Sequence, residues 1–264
     1  MVGILNVTPD SFSDGGLYLN PLAALRHAED LLAQGADLID VGAESTRPGR
    51  PEPVPAEEEW RRLEPVLVEL ARRFADVPVS VDTVKSVTAR RALDAGAWAI
   101  NDVSGLRLDP AIASACAASG AGLILMHSRG SVEDMATYEH ATYDDVAHEV
   151  TQELAGAIAV AEERGVARDR IVVDPGLGFA KRPEHNNAVL ARLGELRQLD
   201  LPIMVGPSRK RFLAAATGKD AADRDPASAA ACVTAYLLGA MLFRVHNVAL
   251  AREALDVAHA IRSA

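Results

Sequence analysis

The sequence predicts an α/β protein in which eight parallel strands alternate with helices and close into a single (β/α)8 barrel. Short apolar segments recur along the chain, and each is followed by a polar loop and then by a segment with helical spacing. The length of 264 residues is close to the about 250 residues typical of such a barrel. We therefore expect one domain, a TIM barrel over residues 1–264. An open, doubly wound sheet is the alternative, and it also gathers the carboxyl ends of its strands along one edge.

Residues 37–48 show the repeating unit most clearly. Leu38, Ile39 and Val41 form a short apolar run suited to a buried parallel strand, and Gly42 interrupts it. A polar loop containing glutamate, serine, threonine and arginine follows and ends at Pro48. This composition favours a ligand-binding loop over a continued strand.

The first half of the chain continues this alternation. Strand one is predicted at residues 3–7, followed by a loop at 8–16 rich in Pro, Asp, Ser and Gly. Asn20 and Pro21 predict the start of a helix that Gly35 ends. The next helix carries acidic residues in its first turn and basic residues in its last, as the helix dipole favours. Further strands are predicted at 77–82, 98–102 and 121–126, and further helices at 85–95 and after residue 109.

The second half completes the count of eight. An apolar stripe formed by Val146, Val150, Leu154 and Ile158 predicts a long helix over residues 143–164. The remaining strands are predicted at 170–174, 201–206 and 241–245, and the remaining helices at 183–193, at two segments around a polar loop at 217–226, and after residue 246. No candidate edge strand is short or charged, which favours closure into a barrel.

Composition excludes several classes of protein. Hydrophobic residues make up 49% of the chain and charged residues 24%, so disorder is not indicated. A formal net charge of −10 argues against nucleic acid as a partner. No run of 18 apolar residues and no signal segment is found, so we expect no membrane partner. Cys116 and Cys232 are flanked by alanines and are interpreted as apolar packing residues in a reducing cytoplasm.

Polar side chains with ligand-binding chemistry lie at or just beyond nearly every predicted strand. A single strand-end Asp or Asn is often only a helix cap or turn residue. In a barrel, however, all these positions converge on one face, so the whole set indicates a site. The set comprises Asn6, Thr46, Arg47, Asp82, Asn101, His127, Asp174, Ser208, Lys210, Arg244 and His246.

The charges in this set predict a bipolar substrate. A buried carboxylate can accept two parallel bonds from the N–H groups of a heterocycle, which suits Asp82, Asn101 and Asp174. The cationic residues suit an anion such as phosphate or carboxylate; they are Arg47, Lys210, Arg244 and His246. Phe179, just beyond a glycine-rich turn, is either a stacking wall for a planar ring or an exposed loop aromatic. His127 is either a substrate contact or a hydrogen-bonded loop histidine.

Several familiar catalytic motifs are absent. The sequence contains no G-x-S-x-G elbow, no H-E-x-x-H, and no complete Walker or G-x-G-x-x-G loop. Serine hydrolase, zinc protease and nucleotide-binding interpretations therefore lose support.

Five motifs follow one another along the chain: NVTPDSFSDGG at 6–16, ESTRPG at 44–49, DPGLGF at 174–179, SRK at 208–210 and RVH at 244–246. In order and rough spacing they resemble the motifs of the dihydropteroate synthase family. The resemblance implies condensation of 4-aminobenzoate with the pyrophosphate ester of hydroxymethyl-dihydropterin, on the folate pathway. It departs from the family pattern at Ala43, where Gly is usual, and at Asn247, where Asp is usual.

The same resemblance implies roles for individual residues. Asp82, Asn101, Asp174 and Lys210 would hold the pterin. Arg244, His246 and Asn6 would bind the leaving pyrophosphate, with Asn6 helping to hold Mg²⁺. The 4-aminobenzoate pocket and the remaining substrate contacts would be formed by Thr46, Arg47, Pro48, Met126, Phe179, Gly206 and Ser208. Phe12 and Asp14 would help the loop at 8–16 to close over the site and exclude water.

Two other functions stay open at this point. A pterin-binding methyltransferase of the same wider superfamily also uses strand-end Asp and Asn to hold a pterin. It should not need the Ser-Arg-Lys motif at 208–210 or the Thr-Arg-Pro motif at 46–48. A non-catalytic pterin carrier would have no use for a pyrophosphate site. The family resemblance also implies a homodimer, for which no sequence feature gives separate support.

Overall fold

The computed structural model describes residues 1–8, 21–44 and 53–264 of the chain. Eight parallel strands form one sheet in the order β6-β5-β4-β3-β2-β1-β8-β7. A parallel bridge between Val173 and Ile203 joins the two ends of this order. The strands therefore form a (β/α)8 barrel, as predicted, and not an open sheet. They are β1 (Val2–Asn6), β2 (Leu38–Gly42), β3 (Val79–Asp82), β4 (Ala99–Asp102), β5 (Gly122–Met126), β6 (Ile171–Asp174), β7 (Met204–Val205) and β8 (Leu242–Val245).

Helices cover the outside of the barrel and bury one apolar face against it. In α2, for example, Leu63, Val66, Leu67 and Leu70 are buried, whereas its glutamates and arginines mostly face solvent. The helices are α1 (Pro21–Ala33), α2 (Ala56–Arg73), α3 (Ser86–Asp94), α4 (Ala111–Ser119), α5 (Val146–Glu163), α6 (Pro183–Ala191), α7 (Arg211–Thr217), α8 (Asp225–Leu237) and α9 (Val248–Arg262).

The strands are buried on both sides, which accounts for their nearly continuous apolar sequences. Ile39, Val41, Leu123 and Leu125 have no exposed surface. One face of each strand packs on the helices and the other on the barrel interior. The register places the carboxyl ends level, since Asn6 pairs with Gly42, Gly42 with Asp82, and Asp82 with Asn101. The polar residues that end these strands therefore meet at one mouth of the barrel.

Most predicted boundaries differ from the structure by one or a few residues, and three of the differences are informative. Helix α5 begins at Val146, because the side chain of Asp145 caps it by accepting from the backbone N–H of His148 at 3.1 Å. Helix α8 begins at Asp225, inside the predicted loop, since a proline in the first turn fits a helix start. Strand β7, at one end of the strand order, has only two residues, so the expectation that no candidate edge strand is short was wrong; the bridge at Ile203 closes the barrel beside it.

The two cysteines are packing residues, as predicted. Cys116 in α4 and Cys232 in α8 are fully buried free thiols, and burial raises the pKa of each thiol to about 12. In the part of the chain that the structure describes, no helix combines the length and the apolar character needed to cross a bilayer.

Candidate functional site

The carboxyl mouth of the barrel holds a compact cluster of buried charges. Arg244, from β8, donates to Asp82 Oδ2 at 3.0 Å from Nη2. A Cβ atom added at Gly206 would lie 3.8 Å from Arg244 Cβ and 4.0 Å from Asp174 Oδ2. Residues that are far apart in the sequence therefore line one concave site at this mouth, the cup. Its residues are Asp82, Asn101, Asp174, Lys210 and Arg244. Lys210 lies close enough to act electrostatically on both Asp82 and Asp174.

A carboxylate that the sequence analysis missed lies at the centre of this cluster. Asp40, in β2, is fully buried and accepts from Arg244 Nε at 2.6 Å, from Asn101 Nδ2 at 3.1 Å and from Ser80 Oγ at 2.5 Å. The signal was present, because Asp40 is the one charged residue within the apolar run of that strand. Asp40 lies two residues before the end of β2, whereas the pattern that predicts ligand residues in a barrel marks the strand ends.

Arg244 differs from its sequence-based description in one respect. The sequence suggested separate acidic and basic ends of the site, but the guanidinium lies directly on two carboxylates, those of Asp40 and Asp82. Its charge is therefore partly neutralised within the protein. The expected role of Arg244 in binding the leaving pyrophosphate stays a prediction.

Burial shifts the protonation of the other charged groups in the cup. It raises the pKa of Asp174 to about 6, against the opposing effect of the hydrogen bond from the Gly176 N–H. It likewise raises the pKa of Asp82, which Arg244 opposes. Burial and the nearby Arg244 lower the pKa of Lys210 to about 8, although Asp174 and Asp82 act the other way. Groups with shifted pKa values in a cleft are candidates for function.

Asn101 carries an unused acceptor that points to a ligand. Its Nδ2 donates to Asp40, which fixes the orientation of the amide, and its Oδ1 is buried without a hydrogen-bond partner among the described residues. An unsatisfied buried acceptor costs about 1–3 kcal/mol. An N–H donor on a bound molecule would satisfy it.

Phe179 forms one wall of the cup and is not an exposed loop aromatic. Its side chain is 6% exposed, and the Lys210 ammonium lies 4.0 Å from the ring centroid. Such a cation–π contact fixes the lysine against the ring face. Met126 packs with Phe179 in a small apolar cluster that also contains Met135. The structure thus brings together Met126, Phe179 and Lys210, as the sequence analysis predicted.

Ser208 and His246 form a second polar pair at the mouth. Ser208 Oγ lies 2.9 Å from His246 Nδ1 and accepts from the His246 backbone N–H at 3.1 Å. Behind them, Arg209 forms a bidentate ion pair with Asp225, which also accepts from Asn247 Nδ2 at 3.2 Å. Asn247 therefore supports this loop although an acid was expected at its position.

His127 is a hydrogen-bonded buried histidine and not an open substrate contact. Its Nε2 lies 3.0 Å from Glu153 Oε2, and its Nδ1 lies 2.8 Å from Nζ of Lys181. Lys181 is a second residue that the sequence analysis missed. It is 1% exposed, although its neighbours Arg182 and Pro183 resemble an ordinary solvated helix start. No feature of the sequence distinguishes this lysine from a surface one.

Five of the predicted site residues lie outside the described residues. They are Phe12 and Asp14 of the first loop and Thr46, Arg47 and Pro48 of the second. Asn6 is described: it is half-buried at the end of β1, level with Gly42 and, one strand further, with Asp82.

One further group of side chains has the composition of a metal site. The donor atoms of Asp134, Glu139 and His140 lie within 4.8 Å of one another between β5 and α5. Asp134 already accepts from the Ser131 backbone N–H and contacts His140 Nε2 at 3.1 Å. These hydrogen bonds explain the arrangement as a loop support.

Comparison with known proteins identifies the class to which this barrel belongs. The family described as pterin binding enzyme matches residues 2–246, and the chain belongs to that family. Among its relatives, the dihydropteroate synthase of Escherichia coli (strain K12) is 42% identical over 264 residues, covering 100% of this chain and 92% of the relative.

Solved structures give the same result. Xanthomonas albilineans dihydropteroate synthase with 4-aminobenzoic acid superposes with a TM-score of 0.92 at 43% identity, over 100% of this chain and 93% of that one. The complex of the X. albilineans enzyme with 7,8-dihydropteroate gives a TM-score of 0.89 at 41% identity, over 100% and 93% of the two chains. The similarity therefore extends over the full barrel.

The Asp174 turn should not tolerate a side chain at Gly176. This residue has a φ of 68°, and an added Cβ would lie 1.8 Å from the His127 carbonyl oxygen. We expect Gly176→Ala to lower the free energy of unfolding by about 2 kcal/mol or more. Gly156→Ala is the matched control, because Gly156 lies within α5 with nothing near its Cβ position. Gly156→Ala should raise the free energy of unfolding by about 0.5–1 kcal/mol, measured by urea unfolding. Equal effects of the two substitutions would contradict the close approach of Gly176 to the His127 carbonyl.

Proposed function

We propose that this chain works as a dihydropteroate synthase, joining 4-aminobenzoate to 6-hydroxymethyl-7,8-dihydropterin pyrophosphate to give 7,8-dihydropteroate and pyrophosphate. The observation that carries the proposal is the buried cup in which Asp82, Asn101, Asp174, Lys210 and Arg244 converge. It is supported by relatives that are dihydropteroate synthases and by a neighbour's complex with 7,8-dihydropteroate. The substrates are small molecules, and the reaction is a group transfer.

The acid and amide groups bind the pterin ring. The Asn101 Oδ1 acceptor and the Asp174 carboxylate are buried where they can accept from ring N–H groups. Lys210 can donate to a ring oxygen or nitrogen from its position over Phe179. Because these groups are held before substrate arrives, little ordering is needed at the moment of binding.

The reaction is a dissociative displacement at the pterin methylene carbon. The bond from this carbon to the pyrophosphate oxygen breaks, and pyrophosphate leaves with the electron pair. Asp82 and Asp174 stabilise the positive charge that develops on the pterin. The amine nitrogen of 4-aminobenzoate then attacks the methylene carbon and loses its proton to solvent or pyrophosphate. No general base is required, because an aromatic amine is neutral and nucleophilic at pH 7.

A divalent cation fits the leaving-group side of the cup. The Asn6 amide oxygen is a hard, neutral ligand, half-buried at the strand end, and Mg²⁺ commonly takes one or two protein oxygens together with substrate phosphates. Bound Mg²⁺ would neutralise charge on the departing pyrophosphate. Arg244 and His246 complete this side, with His246 oriented by Ser208.

The aromatic amine binds on the Phe179 side. Phe179 and Ser208 lie on two adjoining loops, and Thr46, Arg47 and Pro48 are the further residues proposed for this pocket. Phe12 and Asp14 are proposed to help exclude water, which would otherwise capture the cation. Met126 supports Phe179 from below, and Gly206 leaves room between Asp174 and Arg244.

The whole chain is proposed to work as one domain in the cytoplasm. The single barrel spans the described residues, and the two free, buried thiols are consistent with a reducing compartment.

The proposed activity is tested by supplying both substrates with Mg²⁺ and following pyrophosphate release with and without 4-aminobenzoate. We expect amine-dependent release in the wild type. Lys210→Ala and Arg244→Ala should each reduce turnover by about tenfold or more, since each removes a buried charge from the cup.

Two surface variants serve as controls for that assay. Lys219→Ala and Arg168→Ala remove charges of the same kind from exposed positions and should keep wild-type turnover. Tight pterin binding without amine-dependent turnover would leave a carrier and refute the enzyme. Wild-type rates in both cup variants would refute the roles given to Lys210 and Arg244.

The rate should depend on pH in a bell shape. Asp174 and Asp82 must be ionised to act on the pterin, so kcat/KM should rise with pH through the Asp174 pKa of about 6 and through the pKa of Asp82, which burial also raises. Lys210 must be charged to donate, so the rate should fall above its pKa of about 8. The measurement is kcat/KM for the pterin substrate between about pH 5 and about pH 10, a range that brackets both limbs of the profile. Lys210→Arg should move the alkaline limb upward, and an unmoved limb would contradict the assignment.

A homodimer is proposed through the α8–α9 face. Four large apolar side chains are exposed on or just beyond these two neighbouring helices: Leu237 at 54% ends α8, Met241 at 69% follows it, and Val257 at 57% and Ile261 at 73% lie on α9. Apolar groups at such a density mark an interaction surface. Sedimentation equilibrium should give twice the monomer mass for the wild type and a smaller mass for Ile261→Glu. A monomeric wild type at all concentrations would exclude the dimer.

A further inference from the structure

The turn after β6 connects Asp174 to Phe179, and several of its residues have a positive φ. Gly176 has a φ of 68°, Gly178 of 81° and Ala180 of 45°. A non-glycine residue in the left-handed region persists only when its surroundings hold it. Tyr143 Oη donates to the Ala180 carbonyl at 3.0 Å, and the Ala180 N–H donates to Met135 O at 2.7 Å. The far end of the turn is therefore fixed from outside.

Lys181 fixes the inside of the same turn. Its Nζ donates to the Gly176 carbonyl at 3.2 Å and to the Phe179 carbonyl at 3.1 Å. Among the described residues, it is the one side chain that holds the Phe179 carbonyl. The two carbonyls belong to the two ends of the glycine-rich bend, so the ammonium closes that bend as a cross-link.

The third N–H of this ammonium points to His127. Nζ lies 2.8 Å from His127 Nδ1, and the opposite ring nitrogen lies 3.0 Å from Glu153 Oε2. Three acceptors thus match the three N–H bonds of a charged lysine, and they favour that form against burial, which lowers the pKa of Lys181 to about 7. Burial and the positive charge of Lys181 lower the pKa of His127 to about 4, so the ring is neutral and donates from Nε2 to Glu153. The carboxylate on α5 therefore orients the ring that orients the lysine.

The side chain of Phe179 contacts the cup, whereas its backbone carbonyl contacts Lys181. Its ring lies against the Lys210 ammonium at 4.0 Å, while its backbone carbonyl lies on Lys181. Phe179 is thus held between two lysines, one at its ring and one at its main chain. A shift of the main chain on loss of Lys181 would move the ring that forms the aromatic wall.

We propose that Lys181 is a positioning residue for the aromatic amine: through the Phe179 carbonyl it sets the wall against which 4-aminobenzoate binds. The inference rests on the proposed function, and it adds Lys181, His127 and Glu153 as a chain that reaches from the surface of α5 to that wall. None of the three contacts the reacting atoms. Removal should therefore change binding of the amine more than the chemical step.

The direct test is Lys181→Met, which keeps a similar length and removes all three N–H donors. We expect KM for 4-aminobenzoate to rise about tenfold, because a displaced wall weakens ground-state and transition-state binding equally. At saturating amine, kcat should stay within about threefold of wild type, and Kd for the pterin pyrophosphate likewise. Circular dichroism and thermal unfolding establish that the variant is folded.

A milder pair of variants decides the matter if Lys181→Met does not fold. Glu153→Gln weakens the outer end of the chain, and Glu162→Gln is its matched control. Both glutamates lie on α5 with side chains 39% exposed, but Glu162 pairs with Arg168, away from the cup. Glu153→Gln should raise KM for the amine about threefold with kcat unchanged, and Glu162→Gln should match wild type.

The outcomes separate the two proposals. Wild-type KM in a folded Lys181→Met, or equal KM in the two glutamate variants, overturns the role of Lys181 and leaves the synthase intact. A fall in kcat with no rise in KM also overturns it, because that pattern belongs to a group acting on the chemistry. A wild-type chain without amine-dependent pyrophosphate release overturns the proposed function, and the role of Lys181 with it.

Discussion

The site depends on one buried interaction, the contact of Arg244 with Asp40 and Asp82. These three residues come from β8, β2 and β3, and their bonds of 2.6 and 3.0 Å are partly shielded from water, since Asp40 is fully buried and Arg244 and Asp82 are half-buried. Two carboxylates on one guanidinium are unfavourable to bury unless every charge keeps a partner. Ser80 and Asn101 supply the remaining bonds to Asp40. All the hydrogen bonds to Asp40 are thus made within the barrel, whereas Asp82 and Asn101 keep acceptor oxygens that can bind a ligand in the cup.

Burial has opposite consequences for stability and for chemistry. It raises the pKa of Asp174 and lowers that of Lys210, which means that the charged form of each is disfavoured by the fold. The same low-dielectric surroundings strengthen any interaction of these charges with a bound pterin. In the free protein, burial makes the charged forms of Asp174 and Lys210 less stable. Such preorganised charges are well suited to stabilise the charge that develops only as pyrophosphate leaves.

The turn that follows β6 joins the two ends of the substrate site. Asp174 accepts from the Gly176 N–H at 2.7 Å, and Phe179 lies three residues beyond Gly176. Because Asp174 ends β6 and pairs with Met126 in the sheet, a small change in the bend beyond it would move the aromatic wall more than the proposed pterin contact. The buried side chain of Lys181 holds the backbone of this turn through the Gly176 and Phe179 carbonyls. The turn can therefore bring Gly176 close to the His127 carbonyl.

The sequence by itself determined the alternation of strands and helices, the face on which ligands bind, and most residues of the cup. It could do so because apolar periodicity specifies each element locally, and parallel strands always present their carboxyl ends together. The burial of Lys181 and the pairing of Arg244 with Asp40 and Asp82 were decided only by the tertiary structure. Whether a lysine is buried or solvated, and which carboxylate a guanidinium meets, depends on which strands become neighbours. Local sequence carries no record of those contacts, which arise from strand register and barrel closure.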